Sequence, residues 1–224
     1  MPASLRATDP DVNPDAYDAW YATPRGRWIG ETEYALAARL LAPQAGDSLL
    51  DVGCGTGWFT RRAAADGLVA TGLDPNPAWL DYARTHSSQT LSWVQGDARD
   101  LPFADASFDH VLSITALCFV DDERAAVAEI VRVVRRRFAI GWLNRTSLLY
   151  REKGRGGGQG AYRGARWHGA DEVRALFTGL PVRNLRSRSA IFLPSATRWA
   201  RLLEPRIPAA LPWGGLLVLQ GEKA

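Results

Sequence analysis

The stretch that most constrains this chain is Ser48-Leu49-Leu50-Asp51-Val52-Gly53-Cys54-Gly55-Thr56-Gly57-Trp58-Phe59-Thr60. Leu49, Leu50 and Val52 make an apolar run that only Asp51 interrupts, and glycines follow at alternate positions. A helical pattern begins at Trp58. The stretch reads as a buried strand, a sharp glycine turn and the first turn of a helix. Glycine accepts positive φ and lets a ligand come close where a Cβ would clash. The free amides at the helix start point at whatever sits above the turn. That is a nucleotide-type site at the carboxyl edge of a parallel sheet.

The dinucleotide fingerprint needs G-x-G-x-x-G. Here the position of its third glycine is Trp58, and no Gly-Lys-Ser/Thr phosphate loop is present. Asp51, inside the strand end, would repel a pyrophosphate and suits a cation. A ligand with an ammonium group and no phosphate fits this turn better than a nucleotide phosphate. Leu-Asp-Val-Gly-Cys-Gly-Thr-Gly resembles the first motif of the class I S-adenosylmethionine-dependent methyltransferases. Two later segments extend that resemblance. Asp74 ends a second apolar run, 68–73, and its carboxylate suits a vicinal diol. Gln95-Gly96-Asp97-Ala98, with Leu101-Pro102-Phe103 and Ser107-Phe108-Asp109, resembles the ubiquinone/menaquinone-biosynthesis-type (methyltransferase type 11) subgroup.

The resemblance implies an α/β, Rossmann-like fold: a seven-stranded, mostly parallel sheet in the order 3-2-1-4-5-7-6, with helices on both faces. It implies S-adenosyl-L-methionine as cofactor. The implied cofactor contacts are Asp51, Gly53, Cys54, Gly55, Gly57, Asp74, Pro75, Asn76, Asp97, Ala98 and Ser113, with Asp97 accepting from the adenine amino group. Trp20, Tyr21 and Arg27 are lid candidates, Arg27 for the methionyl carboxylate. Thr115 follows strand four, on the edge that faces the sulfonium and the acceptor, and Phe119 could shape the acceptor pocket. Methyl transfer is in-line, so proximity and orientation supply most of the catalysis. No residue is compelled into acid–base work; Thr115, Tyr162 and His168 are the catalytic candidates.

Helical spacing predicts two helices, 14–22 and 28–41, with a turn at 23–27. Residues 1–12 are expected to be loosely attached. Together 1–46 form an expected helical lid, and 47–224 the methyltransferase domain. Asp121-Asp122 cap a helix expected to end at the run Arg135-Arg136-Arg137, which would suit a helix dipole. Seven glycines lie between Gly154 and Gly169 among several arginines. That composition predicts a mobile loop over 144–169, in which Arg163, Arg166 and Trp167 could hold an acceptor. Residues 194–213, with a short helix followed by Pro205, Pro208 and Pro212, read as a substrate-side insertion.

The formal net charge is +3, yet from Arg135 to Arg206 there are 16 Lys/Arg against 4 Asp/Glu, leaving +12 there and −9 elsewhere. A basic half points to an anionic or aromatic small-molecule acceptor, with an RNA-binding protein or RNA methyltransferase as the alternative. No base-methylation signature is present, so nucleic acid is not expected. No apolar run reaches the ~18 residues of a membrane span. The first residues lack a signal-peptide pattern, and a cytoplasmic protein is expected. Two cysteines without CxxC spacing and three histidines give no metal-site pattern. The sequence is silent on oligomeric state.

Overall fold

Side chains alternate across a strand, so a central strand buried on both faces feeds two cores. Leu50 and Val52, Val111, Phe138, Ile140 and Trp142, and Leu217 and Leu219 enter one core. Their neighbours Leu49, Leu112, Ala139, Leu216 and Val218 enter the other. The computed structural model describes residues 13–88 and 91–224; the segment 1–12 expected to be loose lies outside the described residues. Among the described residues the strands are β1 (Ser48–Val52), β2 (Val69–Asp74), β3 (Ser92–Gln95), β4 (Phe108–Ile114), β5 (Val134–Leu143), β6 (Val182–Ala190) and β7 (Leu216–Lys223). They form one sheet in the order β3-β2-β1-β4-β5-β7-β6. The first five run parallel, and β7 is antiparallel to β5 and β6. The expected fold class is the observed one.

The helices are α1 (Pro14–Ala22), α2 (Pro24–Leu41), α3 (Trp58–Ala65), α4 (Pro77–Thr85), α5 (Glu123–Val133), α6 (Ala170–Ala175) and α7 (Arg198–Leu203). Val127, Ile130 and Val131 of α5 and Val173 of α6 cover one face of the sheet. Leu36, Ala37 and Leu41 of α2, with Phe59 and Ala63 of α3, cover the other. Each fully buried Leu or Ile contributes about 1.5–3 kcal/mol. The second half of α2 is therefore part of the core.

Three sequence expectations change. The Thr23-Pro24 pair is a helix start, not a turn. The Thr23 hydroxyl accepts the Gly26 amide at 3.0 Å and Pro24 takes the first helical position, which needs no N–H. The arginine run is also not a helix end, because α5 stops at Val133 and the arginines open β5. Acids on neighbouring elements draw them into the sheet: Arg135 pairs with Asp109 (2.9 Å), Arg136 with Asp47 (3.1 Å) and Arg137 with Glu222 (3.3 Å).

Residues 144–169 are the third case. They fold into a π-type turn (Tyr150–Gly154) and two 3-10 turns (Arg155–Gly157 and Gly160–Tyr162). Trp167 anchors them; it is buried and its ring lies 5.3 Å from Tyr150 and 5.5 Å from Tyr162. The Arg166 amide donates to the Cys118 carbonyl and the His168 amide to the Leu143 carbonyl. Aromatic burial and sheet-edge hydrogen bonds thus order a segment whose glycine content alone reads as loop.

Candidate cofactor and acceptor site

The glycine turn is fastened to β2. The Gly53 and Cys54 amides both donate to the Leu73 carbonyl, at 2.7 and 3.0 Å. Gly53 has φ +76°, and a Cβ there would lie 2.2 Å from the Ala116 Cβ. Gly57, with φ +82°, caps α3, and a Cβ there would lie 2.3 Å from the Trp93 ring. The turn is therefore closely packed against the exit of β4 and against β3, and only glycine fits.

Two acids flank the turn. Asp74 is buried at the end of β2; one oxygen accepts the Gly55 amide and the other the Asn76 amide, each at 2.9 Å. Burial raises its pKa. Each oxygen keeps a lone pair for a further donor. Asp51 lies beneath the turn and accepts the Thr60 hydroxyl at 2.6 Å. Burial, helped by the charge of Asp74 and opposed by the Thr60 bond, pushes it up to about 7.

Above the turn lies a cavity of about 340 Å³. Gly53, Cys54, Gly55, Asp74, Pro75, Asp97 and Ala98, all cofactor candidates from the sequence, line one end. Thr115 lines its middle with φ +56°, a strained backbone for a β-branched residue. Its amide donates to the Gly141 carbonyl at 2.8 Å, so the sheet holds that strain in place. Ile29, Phe119, Leu143, Leu149, Tyr162 and Ile191 line the other, apolar end. Trp20 and Tyr21 roof the space, and Tyr21 stacks on Trp58 with ring centres 4.7 Å apart.

Asp97 faces the cavity, but its carboxylate is already paired with the Arg99 guanidinium at 2.5–3.1 Å. An adenine amino group would share its lone pairs with Arg99.

Several candidates do not line the cavity. Asp51 and Gly57 support the turn from below and behind. Asn76 caps α4, its side chain accepting the Ala78 amide. The buried Ser113 hydroxyl donates to the Val52 carbonyl at 2.8 Å and ties β4 to β1. Arg27 is exposed on α2 and Arg163 is exposed in the 144–169 segment; neither reaches the cavity wall.

Arg166 and His168 are drawn away by a buried acid. Glu123, in the first turn of α5, is 5% exposed; His168 Nε2 lies 2.9 Å from it and Arg166 Nε 3.6 Å. Arg166 also donates to the Val120 and Asp121 carbonyls. A carboxylate at that depth needs cations beside it. These two residues thus lock the 144–169 segment to α5, and Trp167 packs in the core.

Sequence reasoning passed over Tyr17 and Glu33, both of which line the cavity. The signal for Glu33 was there: it falls on the face of α2 that carries Gly26, Ile29, Gly30 and Ala37, all buried. An acid at helical spacing within an apolar face points inward.

The residues fit S-adenosylmethionine. A buried carboxylate at the end of β2 offers lone pairs to a diol. The glycine cradle would be filled by any Cβ, and Arg99, the one cation among the described residues that line the cavity, is paired with Asp97 rather than set to meet a phosphate. Among the described residues no group of three or more His, Cys, Asp or Glu is placed to hold a metal, and no helix is long and apolar enough to cross a membrane.

Comparison with known proteins agrees. The family model described as a methyltransferase domain matches residues 50–138. A demethylmenaquinone methyltransferase of Tropheryma whipplei is 37% identical over 101 residues, 44% of this chain and 42% of that protein. A malonyl-[acyl-carrier protein] O-methyltransferase of Erwinia pyrifoliae is 40% identical over 87 residues, 39% of this chain and 33% of that protein. The chain thus spans less than half the length of these relatives. A crystal structure from Thermotoga maritima, described as an S-adenosylmethionine-dependent methyltransferase and possible histamine N-methyltransferase, superposes with a TM-score of 0.75. It is 25% identical and covers 94% of this chain and 96% of its own. With the sheet order, the glycine turn and the acid at the end of β2 in place, the chain belongs to the class I S-adenosylmethionine-dependent methyltransferases, in the methyltransferase type 11 subgroup.

Proposed function

We propose that the chain transfers a methyl group to a small-molecule acceptor seated in the apolar end of the cavity. One observation carries this reading: a single cavity joins a polar end, built on the glycine turn and Asp74, to an apolar end floored by β4 and β5. When bound, S-adenosylmethionine supplies a methyl group already activated on sulfonium. Asp74 would hold its ribose, Pro75 and Ala98 its adenine, and the Gly53–Gly55 turn its amino-acid end. Thr115 borders the junction of the two ends, and Phe119 lines the apolar one. The chain's share of the work is to align the acceptor and keep water out.

The first half of α2 and all of α1 form the lid in this reading. Their aromatic residues Trp20 and Tyr21 roof the cavity, and the Arg25 guanidinium donates to the Pro194 carbonyl at 2.7 Å, linking lid to the 194–213 segment. A small-molecule acceptor accords with the relative named for demethylmenaquinone, and the other relative is named for malonyl-[acyl-carrier protein]. Against an RNA substrate stands the pairing of the basic half. Arg135, Arg136, Arg137 and Arg183 meet Asp109, Asp47 and Glu222 from the acidic part of the chain. These pairs offset part of the charge asymmetry along the sequence.

The test is methyl transfer from labelled S-adenosylmethionine to a panel of small aromatic acceptors and to bulk RNA. Label in a small molecule, lost on Phe119→Asp, supports the reading. Label in RNA alone overturns it.

A further inference from the structure

The cavity holds one carboxylate that nothing so far explains. Among the described residues, Glu33 has no hydrogen-bond or ion-pair partner for its side chain, although it lines the cavity beside Ile29. Its neighbours on α2, Tyr34, Leu36 and Ala37, are in the core. The residue is half-buried, and burial of its carboxyl pushes it up to about 8. Three phenols feel its charge: Tyr17 and Tyr21 from α1 and Tyr162 from the 144–169 segment. Other charged groups near this cluster are Asp18 on α1, Asp74 at the end of β2 and Arg25 on α2. Arg25 is committed to the Pro194 carbonyl, and Asp18 to Arg61 at 2.7 Å. Asp74 serves the glycine turn. Of these carboxylates, Glu33 alone has neither a hydrogen bond nor an ion pair among the described residues.

A lone desolvated carboxylate among aromatic rings is expensive to keep unless something binds it. The complementary ligand is a cation. An ammonium group gains a charge-assisted hydrogen bond from the carboxylate and cation–π attraction from the rings. A carboxylate or phosphate on the acceptor would meet Glu33 with like charge, and the described residues that line the cavity offer it no unpaired cation: Arg99 is held by Asp97. We propose that Glu33 makes this site selective for an acceptor that carries a basic amine, protonated in solution. This rests on the acceptor-site reading above and names its substrate class.

The carboxylate can also take the ammonium proton. One N–H bond breaks, one O–H bond forms, and the electron pair stays on nitrogen. The nitrogen then has the lone pair a nucleophile needs, and Glu33 is left neutral in an apolar wall, the state burial favours.

The experiment uses calorimetry on the whole chain saturated with S-adenosylhomocysteine. The probes are 2-phenylethylamine, 3-phenylpropionate and 2-phenylethanol, which share a ring and differ in charge. The amine is expected to bind at least about tenfold more tightly than the other two, and Glu33→Gln to remove that preference. At pH 7, burial keeps the empty Glu33 protonated. Binding of the ammonium should therefore release close to one proton, read by repeating the titration in buffers of different ionisation enthalpy. Glu33→Gln, an isostere of the protonated acid, should abolish the release while leaving S-adenosylhomocysteine affinity within about twofold.

Equal binding of all three probes, no binding of the amine, or amine binding indifferent to Glu33→Gln each overturns the proposal. So does loss of S-adenosylhomocysteine binding in Glu33→Gln, which would assign Glu33 to the cofactor. If the native chain fails to bind S-adenosylhomocysteine yet binds the amine through Glu33, the methyl-transfer reading falls and the amine site stands.

Discussion

The Gly55 amide donates to the Asp74 carboxylate across 2.9 Å, so the acid proposed to hold the ribose also clamps the glycine turn. The second oxygen takes the Asn76 amide at the same distance. Asp74→Asn should therefore do more than remove charge. Its amide nitrogen would face one of these two N–H donors, and the turn and the diol acceptor would fail together. The expected loss of S-adenosylmethionine affinity is about tenfold to a hundredfold. Asp122→Ala, which removes only the α5 cap, should cost about 1 kcal/mol of stability and leave affinity alone. Equal losses of affinity in the two variants would remove the ribose assignment.

Gly53→Ala should abolish cofactor binding, because its new Cβ would sit 2.2 Å from the Ala116 Cβ at a φ of +76°. Adding Ala116→Gly removes the clash but not the backbone cost of about 1–2 kcal/mol. The double variant should thus recover part of the binding. A double variant no better than the single one would show that the β4 exit does not press on the turn.

Stability should fall as pH rises from 4 to 8. Asp51 is pushed up to about 7 and Glu33 to about 8, and Asp74 is raised in the same direction. A carboxyl whose folded pKa lies above its unfolded value holds its proton longer when folded. Its contribution is full below the unfolded value and is lost as pH climbs through the folded one. Asp51→Asn keeps an acceptor for the Thr60 hydroxyl and cannot ionise. Its stability should decline less than the native chain's between pH 4 and 8, by on the order of 1–3 kcal/mol. Urea unfolding at both ends of that range reads the difference. Parallel declines would contradict an Asp51 held protonated beneath the turn.

Glu123, His168 and Arg166 form a lock, so their variants should behave as structural ones. Glu123→Ala leaves two cations without their acid and should cost roughly 3 kcal/mol. Hydrogen exchange should then quicken through 144–169 before it does in the sheet. His168→Ala should reduce stability without changing the pH profile of methyl transfer. A shifted profile with stability intact would return His168 to the catalytic candidates. Arg163→Ala, on an exposed residue off the cavity wall, should leave acceptor KM within about twofold.

What could be read from the sequence followed from short-range constraints. The glycine turn, Asp74 and strands such as Phe108–Ile114 announce themselves through local chemistry and period, and the structure places them as expected. The Arg135–Arg137 run did not, because its strand state depends on Asp109, Asp47 and Glu222, which lie 26 to 89 residues away along the chain. The 144–169 segment misled for a similar reason. Its glycines are local, but its order comes from Trp167 burial and from a buried Glu123 far upstream. Glu33 was legible in principle, as an acid on an apolar helix face, yet only the cavity shows that it lacks a partner.

The measurement that bears most directly on the central claim is calorimetric titration of the purified chain with S-adenosylmethionine and S-adenosylhomocysteine, with NADH as control. The cavity predicts micromolar binding of both adenosyl ligands, lost in Asp74→Asn, and no binding of NADH, whose pyrophosphate would meet acids and, among the described lining residues, no free cation. Binding of NADH, or of neither adenosyl ligand, would contradict the account.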